Sequence, residues 1–382
     1  MALLRSALLL TLSLFLFAEA AVADPMIGKA IRFGPEFTFS NLKLLLGKNG
    51  IDSWNLSDQQ ALTRFTADIE KYCESRGCKT VTMHLNAKAM KLVSELKVVF
   101  DDDFYFTVKK DANVLEVVMP PMTLEEWESR GPLLETLIFD GMEKAGLKPT
   151  SFYGSGHVSL DKEAAFGGDV LRYRDFFVDF FNHPGLSDGI FEKDPYNART
   201  LSILSDDSRR HFESLVNRVD RGEVKSIELF EKEMRDKVFQ GNRGTLYSKG
   251  YALNFDRVRL EIRSIRAQTS VRQFTAYAKL FEARIGYLNH LRAAGKAVAV
   301  IPNVGASYGW QSFSQFYYYV KETGLDFAKV SEDLLGLRYS AYPVVLPRSL
   351  AFGGRIPCAY WLKQKRVEIF EKISGKMSGY QW

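Results

Sequence analysis

Four side chains able to do chemistry stand inside stretches that otherwise read as strands. Glu36 lies in "RFGPEFTF", in line with Gly34 and Thr38. Glu116 lies in "NVLEVVMPP", between Leu115 and Val117. His157 follows two glycines in "GSGHVSLD", in line with Ser159. Glu261 lies in "LNFDRVRLEIRSIR", where a period of two sets Val258, Leu260 and Ile262 on one side and Arg257, Arg259, Glu261 and Arg263 on the other. That alternation is the pattern of a half-buried strand. A lone carboxylate on a strand is ordinarily solvated or paired. Three carboxylates and an imidazole converging from neighbouring strands are a donor set for a hard divalent cation such as Mg²⁺ or Mn²⁺. Arginines beside them can clamp phosphoryl oxygens bidentately. These are the components of phosphoryl transfer, where catalysis is mainly positioning and charge neutralisation.

The elements that must position these residues are legible in outline. "GKAIRFGPEFTFSN" reads as a strand, and "LSDQQALTRFTADIEKYCESRG" as an amphipathic helix with Ser57 as its N-cap and Gly77 at its end. "KTVTMHL" is a short strand, and "FYFTVKK" and "NVLEVVMPP" form a hairpin. Thr123 caps a helix through "LEEWESRGPLLETLIFDGMEKAG" that is expected to break near Gly131-Pro132. The middle of the chain is helical, with Phe176, Phe177, Phe180 and Phe181 on one apolar face. The Glu261 strand then leads into a long helix capped by Thr269 or Ser270, with Gly295 beyond its end. Strands early and late with helices between predict an α+β fold, a largely antiparallel sheet with helices on one face.

The order of the four motif-bearing segments resembles that of the amidoligases, carboxylate–amine ligases with the glutamine synthetase catalytic fold. In that family a first strand reads like G-x-E-x-E, a second like E-x-V-S-P, and a third carries G-x-x-H-x-H. A later strand, preceded by Asn, reads E-F-R and leads to a Gly-Thr and a long helix. Here the places are filled by "GPEFT", "EVVMPP", "GSGHVS", and Asn254 followed by "EIR" and "AQTS", over roughly Ile31 to Ala294. The resemblance implies a glutamine synthetase-like fold and ATP with Mg²⁺ or Mn²⁺ as cofactors. It implies Glu36, Glu116, His157 and Glu261 as metal-facing groups, with His157, Glu261 and Arg263 catalytic. Arg263 would face the phosphates or the acyl phosphate, Asn254 would sit near the bound nucleotide and substrate or shape the strand entry, and Arg257 and Arg259 join them as nucleotide-binding groups on strand pattern alone. The chemistry implied is phosphorylation of a carboxylate, of an amino acid or peptide, to an acyl phosphate, followed by attack of an amine. Two positions depart from the pattern: Thr38 stands where the family places a second Glu, and Ser159 where it often places a second His. An exported binding protein that keeps the ligase fold without catalysis is therefore the alternative.

The totals constrain the rest. The chain has 382 residues and a net charge of +5, with no Lys/Arg cluster to suggest nucleic acid as a partner. Its first 23 residues, "MALLRSALLLTLSLFLFAEAAVA", read as a signal peptide cleaved after Ala23. An uncleaved anchor is the competing reading, for which the apolar run is short. No later segment is long and apolar enough to cross a bilayer, so a secreted or periplasmic protein without stable membrane insertion is expected. Residues 24–382 are read as a single domain, with its core at 31–294 and a mostly helical extension at 295–382. Cys73 and Cys78 are placed to close a small disulfide loop, and Cys358 is left as a buried thiol. Plainer readings remain for the motifs. Arg259, Glu261 and Arg263 also form a surface salt-bridge ladder in principle, and His157 a loop histidine with local hydrogen bonds. Asp101, Asp102 and Asp103 read as a solvated turn. A serine or cysteine hydrolase lacks its signatures, as does a zinc site of H-E-x-x-H type.

Overall fold

Phe33, Phe37 and Phe39 alternate along one strand with Gly34, Glu36, Thr38 and Ser40, and this alternation divides the molecule into two sides. The strand, β1 (Phe33–Ser40), lies in the middle of a nine-stranded sheet in a computed structural model that describes residues 30–40, 51–87, 90–111, 114–149, 156–187, 204–239, 252–301 and 310–335. The expected signal segment, Cys358 and the C-terminal part of the expected extension lie outside those residues. The other strands are β2 (Cys78–Ala87), β3 (Met90–Phe100), β4 (Tyr105–Asp111), β5 (Val114–Val118), β6 (Lys148–Pro149), β7 (Gly156–Asp161), β8 (Leu253–Phe255) and β9 (Arg259–Ile265). They run in the order β2-β3-β4-β5-β1-β7-β9-β8, with β6 beside β1. Every pairing between the described strands is antiparallel. The expected α+β architecture is present.

Helices cover the phenylalanine side. The first, α1 (Ile51–Arg76), begins before the expected cap at Ser57 and ends at Gly77. Gly77 has φ +66°, a left-handed conformation that favours glycine, and a Cβ there would strike the Asp101 carboxylate. A disulfide joins Cys73 near the end of α1 to Cys78 at the start of β2. On α1, Asp58 forms a 3.1 Å ion pair with Lys110 of β4. The next helix, α2 (Leu124–Leu134), is capped reciprocally by Thr123 and Glu126. It does not break at Pro132. Pro132 stays within it, and the irregularity comes one turn later as a π turn at Glu135–Asp140, before a last turn at Gly141–Lys144. The long helix α7 (Val271–Ala293) is capped by Ser270. Between them in sequence come α3 (Lys162–Phe166), α4 (Val170–Asn182), α5 (Asp206–Asp220) and α6 (Ile227–Glu233). The helices α8 (Trp310–Lys321) and α9 (Phe327–Leu335) follow.

Aromatic contacts seat this layer on the sheet. Phe37 lies 5.0 Å from Phe139 and 5.7 Å from Phe274, ring centre to ring centre. The Trp127 indole lies 4.5 Å from Phe274, ring centre to ring centre and tilted by 54°, and donates its N–H to the Phe33 carbonyl at 2.9 Å. Farther along, Phe177 of α4 meets Phe255 of β8. All of these sheet residues belong to the side opposite Glu36.

The strand β3 was not apparent in the sequence, and its register shows why. Met83 pairs with Glu95 but His84 with Val93, so Ser94 is the extra residue of a bulge. Val93 and Leu96 are then both buried although three residues apart, which destroys the period of two. "LNFDRVRLEIRSIR" is also not one strand. It is a tight hairpin, β8 and β9, with Asn254 opposite Glu261 and a turn at Asp256, Arg257 and Val258. Val258, expected inside, is 67% exposed.

The seating of β1 makes a stability prediction. Phe37→Ala should cost about 3–5 kcal/mol, as truncation of a fully buried ring does. Chemical denaturation measures it; a loss below about 1 kcal/mol would mean that the helices do not pack on this strand as described.

Candidate metal and anion site

The face of the sheet away from the helices carries the polar residues, and register brings them together. Glu36 on β1 is paired with His157 on β7, and Thr38 with Glu116 on β5. Ser159 on β7 lies opposite both Gly34 and Glu261, and Glu261 lies opposite Asn254. Strand alternation therefore sets Glu36, Glu116, His157, Ser159, Asn254, Arg259, Glu261 and Arg263 on one side. A bulge refines the position of His157. Gly156 pairs with Ile265 but Val158 with Ile262, so His157 stands against two residues of β9. Gly156 is required there. A Cβ on it would fall 2.4 Å from the Arg266 carbonyl and closer still to the Gln268 amide.

Three of these side chains form a cluster. One ligand atom each from Glu36, His157 and Glu261 lie within 4.8 Å of one another. The Nδ1 of His157 is 2.5 Å from Glu36 Oε2 and 3.5 Å from Glu261 Oε1. The other oxygen of Glu261 accepts hydrogen bonds from Asn254 Nδ2 at 3.0 Å and Arg263 Nη1 at 2.7 Å. One carboxylate oxygen thus faces the cluster while the second is tied back. Two carboxylate oxygens and an imidazole nitrogen fit a divalent ion of intermediate hardness, Mn²⁺ better than Mg²⁺. Asn254 and Arg263 would be the outer partners that orient such a ligand.

Charge follows the geometry. Burial opposes ionisation of Glu261, but the positive fields of His157 and Arg263 and the two hydrogen bonds outweigh it and hold the carboxyl down at about 2. Glu116 goes the other way. Burial first, then the charge of Glu36 and the nearby Asp111, push it up to about 8, against a weak pull from Lys109.

The residues singled out in the sequence are thus not all brought to one point. Glu36, His157 and Glu261 meet. Glu116 shares their face but stands outside the cluster of three, 3.8 Å from Lys109. Arg263 and Asn254 spend hydrogen bonds on Glu261. Arg259 sits at the rim, with Nη1 3.9 Å from Glu36 Oε1 and Nε bonded to Asp256 Oδ2 at 2.7 Å. Arg257 is not beside Glu261: the hairpin turn places it on the exposed surface. Asp101, Asp102 and Asp103 form the turn between β3 and β4, where Asp102 pairs with Arg130. The residue that sequence reading passed over is Asp256. Its Oδ1 accepts the Val258 and Arg259 amides, both at 2.9 Å, a local turn that an Asp within an apparent strand does signal.

No family model matches the chain, and no curated protein matches it. Among solved structures, apo GmaS without ligand aligns at 13% identity and a TM-score of 0.34, over 82% of this chain and 66% of that chain. A GmaS/ADP complex aligns at 12% identity and a TM-score of 0.38, over 85% of this chain and 73% of that chain. The chain thus spans just under two thirds of the apo GmaS structure. Likeness at this level transfers no residue role.

The two glutamates predict opposite pH effects on the metal-free protein, measured by urea unfolding in EDTA. The folded-state pKa of Glu261 lies below the ordinary 4.5, so its contribution is full above that pH and is lost as pH falls toward 2. Glu261→Gln should lose that stabilisation and, with it, this part of the acid sensitivity. The folded-state pKa of Glu116 lies above 4.5, so its ionisation penalty is absent in acid and grows as pH rises toward 8. Glu116→Gln should match the wild type near the acid end and exceed it at the alkaline end, by on the order of 3 kcal/mol. Parallel stability curves for wild type and Glu116→Gln would refute the assignment.

Proposed function

We propose that this chain is an exported, divalent-metal-dependent carboxylate–amine ligase of the glutamine synthetase type. It would consume ATP to join an amino-acid or peptide carboxylate to an amine. The observation that carries the reading is the convergence of Glu36, His157 and Glu261 from three adjacent strands, with an arginine at the rim. Glu36, His157 and Glu261 would hold the ion, Mg²⁺ or Mn²⁺. When bound, it supplies neutralisation of phosphoryl charge. Arg263 and Asn254 keep Glu261 ionised and turned toward the cluster. Arg259 offers guanidinium donors to phosphate oxygens. The γ-phosphoryl group of ATP passes to the substrate carboxylate with release of ADP. The amine then displaces inorganic phosphate from the acyl phosphate, losing a proton as the amide forms. Export is supported by the signal-like first 23 residues and by the Cys73–Cys78 disulfide, which suits an oxidising compartment.

One observation favours a second reading, an exported protein that binds a cation and an anionic ligand without turnover. Thr38 and Ser159 occupy the places of a second carboxylate and a second imidazole in the family pattern, and the cluster supplies protein ligands for a single ion.

Calorimetric titration of residues 24–382 with ATP, with and without Mn²⁺ or Mg²⁺, tests the proposal. Metal-dependent nucleotide binding is expected in the wild type, at least about tenfold weaker in Glu261→Gln with the fold retained, as removal of a charged ligand requires. No binding at millimolar ATP would sink the ligase reading. Binding without phosphate release against any carboxylate–amine pair would leave the second.

A further inference from the structure

Lys162, the first residue of α3, is 6% exposed, and its ammonium group donates to two acceptors on the helix side of the sheet. It donates at 2.7 Å to Glu231 Oε1 of α6, which also accepts the Tyr173 hydroxyl at 2.7 Å. It also donates to the backbone carbonyl of Asp256, in the turn between β8 and β9. The backbone N–H of Lys162 donates to the Val258 carbonyl at 3.1 Å, so one residue grips the turn on both sides of Arg257. Within the turn, Asp256 holds Arg259 through the backbone N–H and through Nε. Arg259 in turn stands 3.9 Å from Glu36 Oε1. A continuous set of contacts therefore runs from a buried ion pair in the helix layer to the rim of the metal cluster. Burying an ammonium and a carboxylate is expensive, and an apolar pair would fill the same volume at less cost. What an apolar pair cannot do is hold the carbonyl of the turn.

We infer that Lys162 is a positioning residue that fixes Arg259 beside Glu36, so that the site takes its cation together with a polyanion rather than bare. The inference rests on the metal-site reading above. A guanidinium group next to a ligand carboxylate repels a naked dication and competes for the carboxylate. The same group attracts phosphates that arrive with the cation.

The test is the sign of the change in two affinities, measured by calorimetry at low salt on the mature chain: Mn²⁺ alone, and ATP in the presence of saturating Mn²⁺. Lys162→Met combined with Glu231→Gln removes one positive and one negative charge, so the net charge is preserved and no buried ion is left unpaired. With the ammonium bond to the Asp256 carbonyl gone, the turn keeps only one of its two bonds to residue 162, the backbone bond at Val258, and should let Arg259 leave Glu36. Mn²⁺ alone should then bind roughly fivefold more tightly, and ATP with Mn²⁺ roughly fivefold more weakly. Arg259→Ala should show the same two changes, and adding it to the double variant should change neither further. A purely structural role for Lys162 predicts weaker binding of both ligands. Weaker or unchanged Mn²⁺ binding in the double variant, or effects that add to those of Arg259→Ala, would overturn the inference. Lys162→Gln with Glu231→Gln keeps a hydrogen bond between the two positions if the first pair does not fold, and must show the same opposed signs. A wild type that binds no Mn²⁺ fails at the metal site itself and takes both readings down. A wild type that binds Mn²⁺ without the opposed signs in the variants removes this inference alone.

Discussion

A carboxylate as deeply buried as Glu261, 4% exposed, can stay ionised only if its charge is met on every side. That requirement organises the centre of the molecule. Arg263 comes from the same strand two residues on, Asn254 from across the hairpin, and His157 from the neighbouring strand. Each of these donors depends on a feature of backbone geometry. Arg263 needs strand alternation, Asn254 needs a hairpin turn of the right length, and His157 needs the bulge after Gly156. Shifting β9 by one residue would turn Glu261 and Arg263 to the helix side, among phenylalanines, and shifting β7 would do the same to His157.

The helix layer meets the complementary need. Phe33, Phe37 and Phe39 give β1 one wholly apolar face, and the rings of Phe139, Trp127 and Phe274 cover it. Glu36 is carried on a strand that cannot rotate without exposing that face. This is how a site built from three strands acquires precision: each strand is pinned by what lies beneath it, and the polar side is left to electrostatics. The Lys162–Glu231 pair extends the arrangement to Arg259, the first residue of β9, through the turn that precedes it.

Much of this was legible in the sequence, because periodicity reports on the phenylalanine side. The alternation around Glu36 and around His157 predicted strands, and both are present. The hairpin from Tyr105 to Val118 and the capped helix at Thr123 followed from turn and cap chemistry. What failed, failed for local reasons. Reading Leu253–Arg266 as one strand treated Asp256 as a spacer, whereas its carboxylate bonds two backbone amides and reverses the chain. A continuous alternation survives the reversal only by coincidence of length. Arg257 was thereby assigned to a face it does not share. The strand Met90–Phe100 is hidden by the bulge at Ser94, and nothing in composition distinguishes Pro132, which its helix retains, from a proline that ends one. Glu116 belonged to the right face and still missed the cluster, since a face specifies a side of the sheet and not a point on it.

The balance of charge at the cluster bears on what it can hold. Two carboxylates, Glu36 and Glu261, are surrounded by His157, Arg263 and Arg259, while Glu116 favours its neutral form near neutral pH. A second carboxylate at the place of Thr38 would have stood directly opposite Glu116 and would have raised its proton affinity further. The two positions therefore compensate. With Thr38, Glu116 carries only the repulsion of Glu36 and Asp111, and the site stays close to electrical balance without a cation. Such a site has little to gain from a bare dication and more from a cation whose charge is already partly met by phosphate. Restricting the carboxylates to two, and holding an arginine beside one of them, is a coherent arrangement for an ion that arrives with its anion.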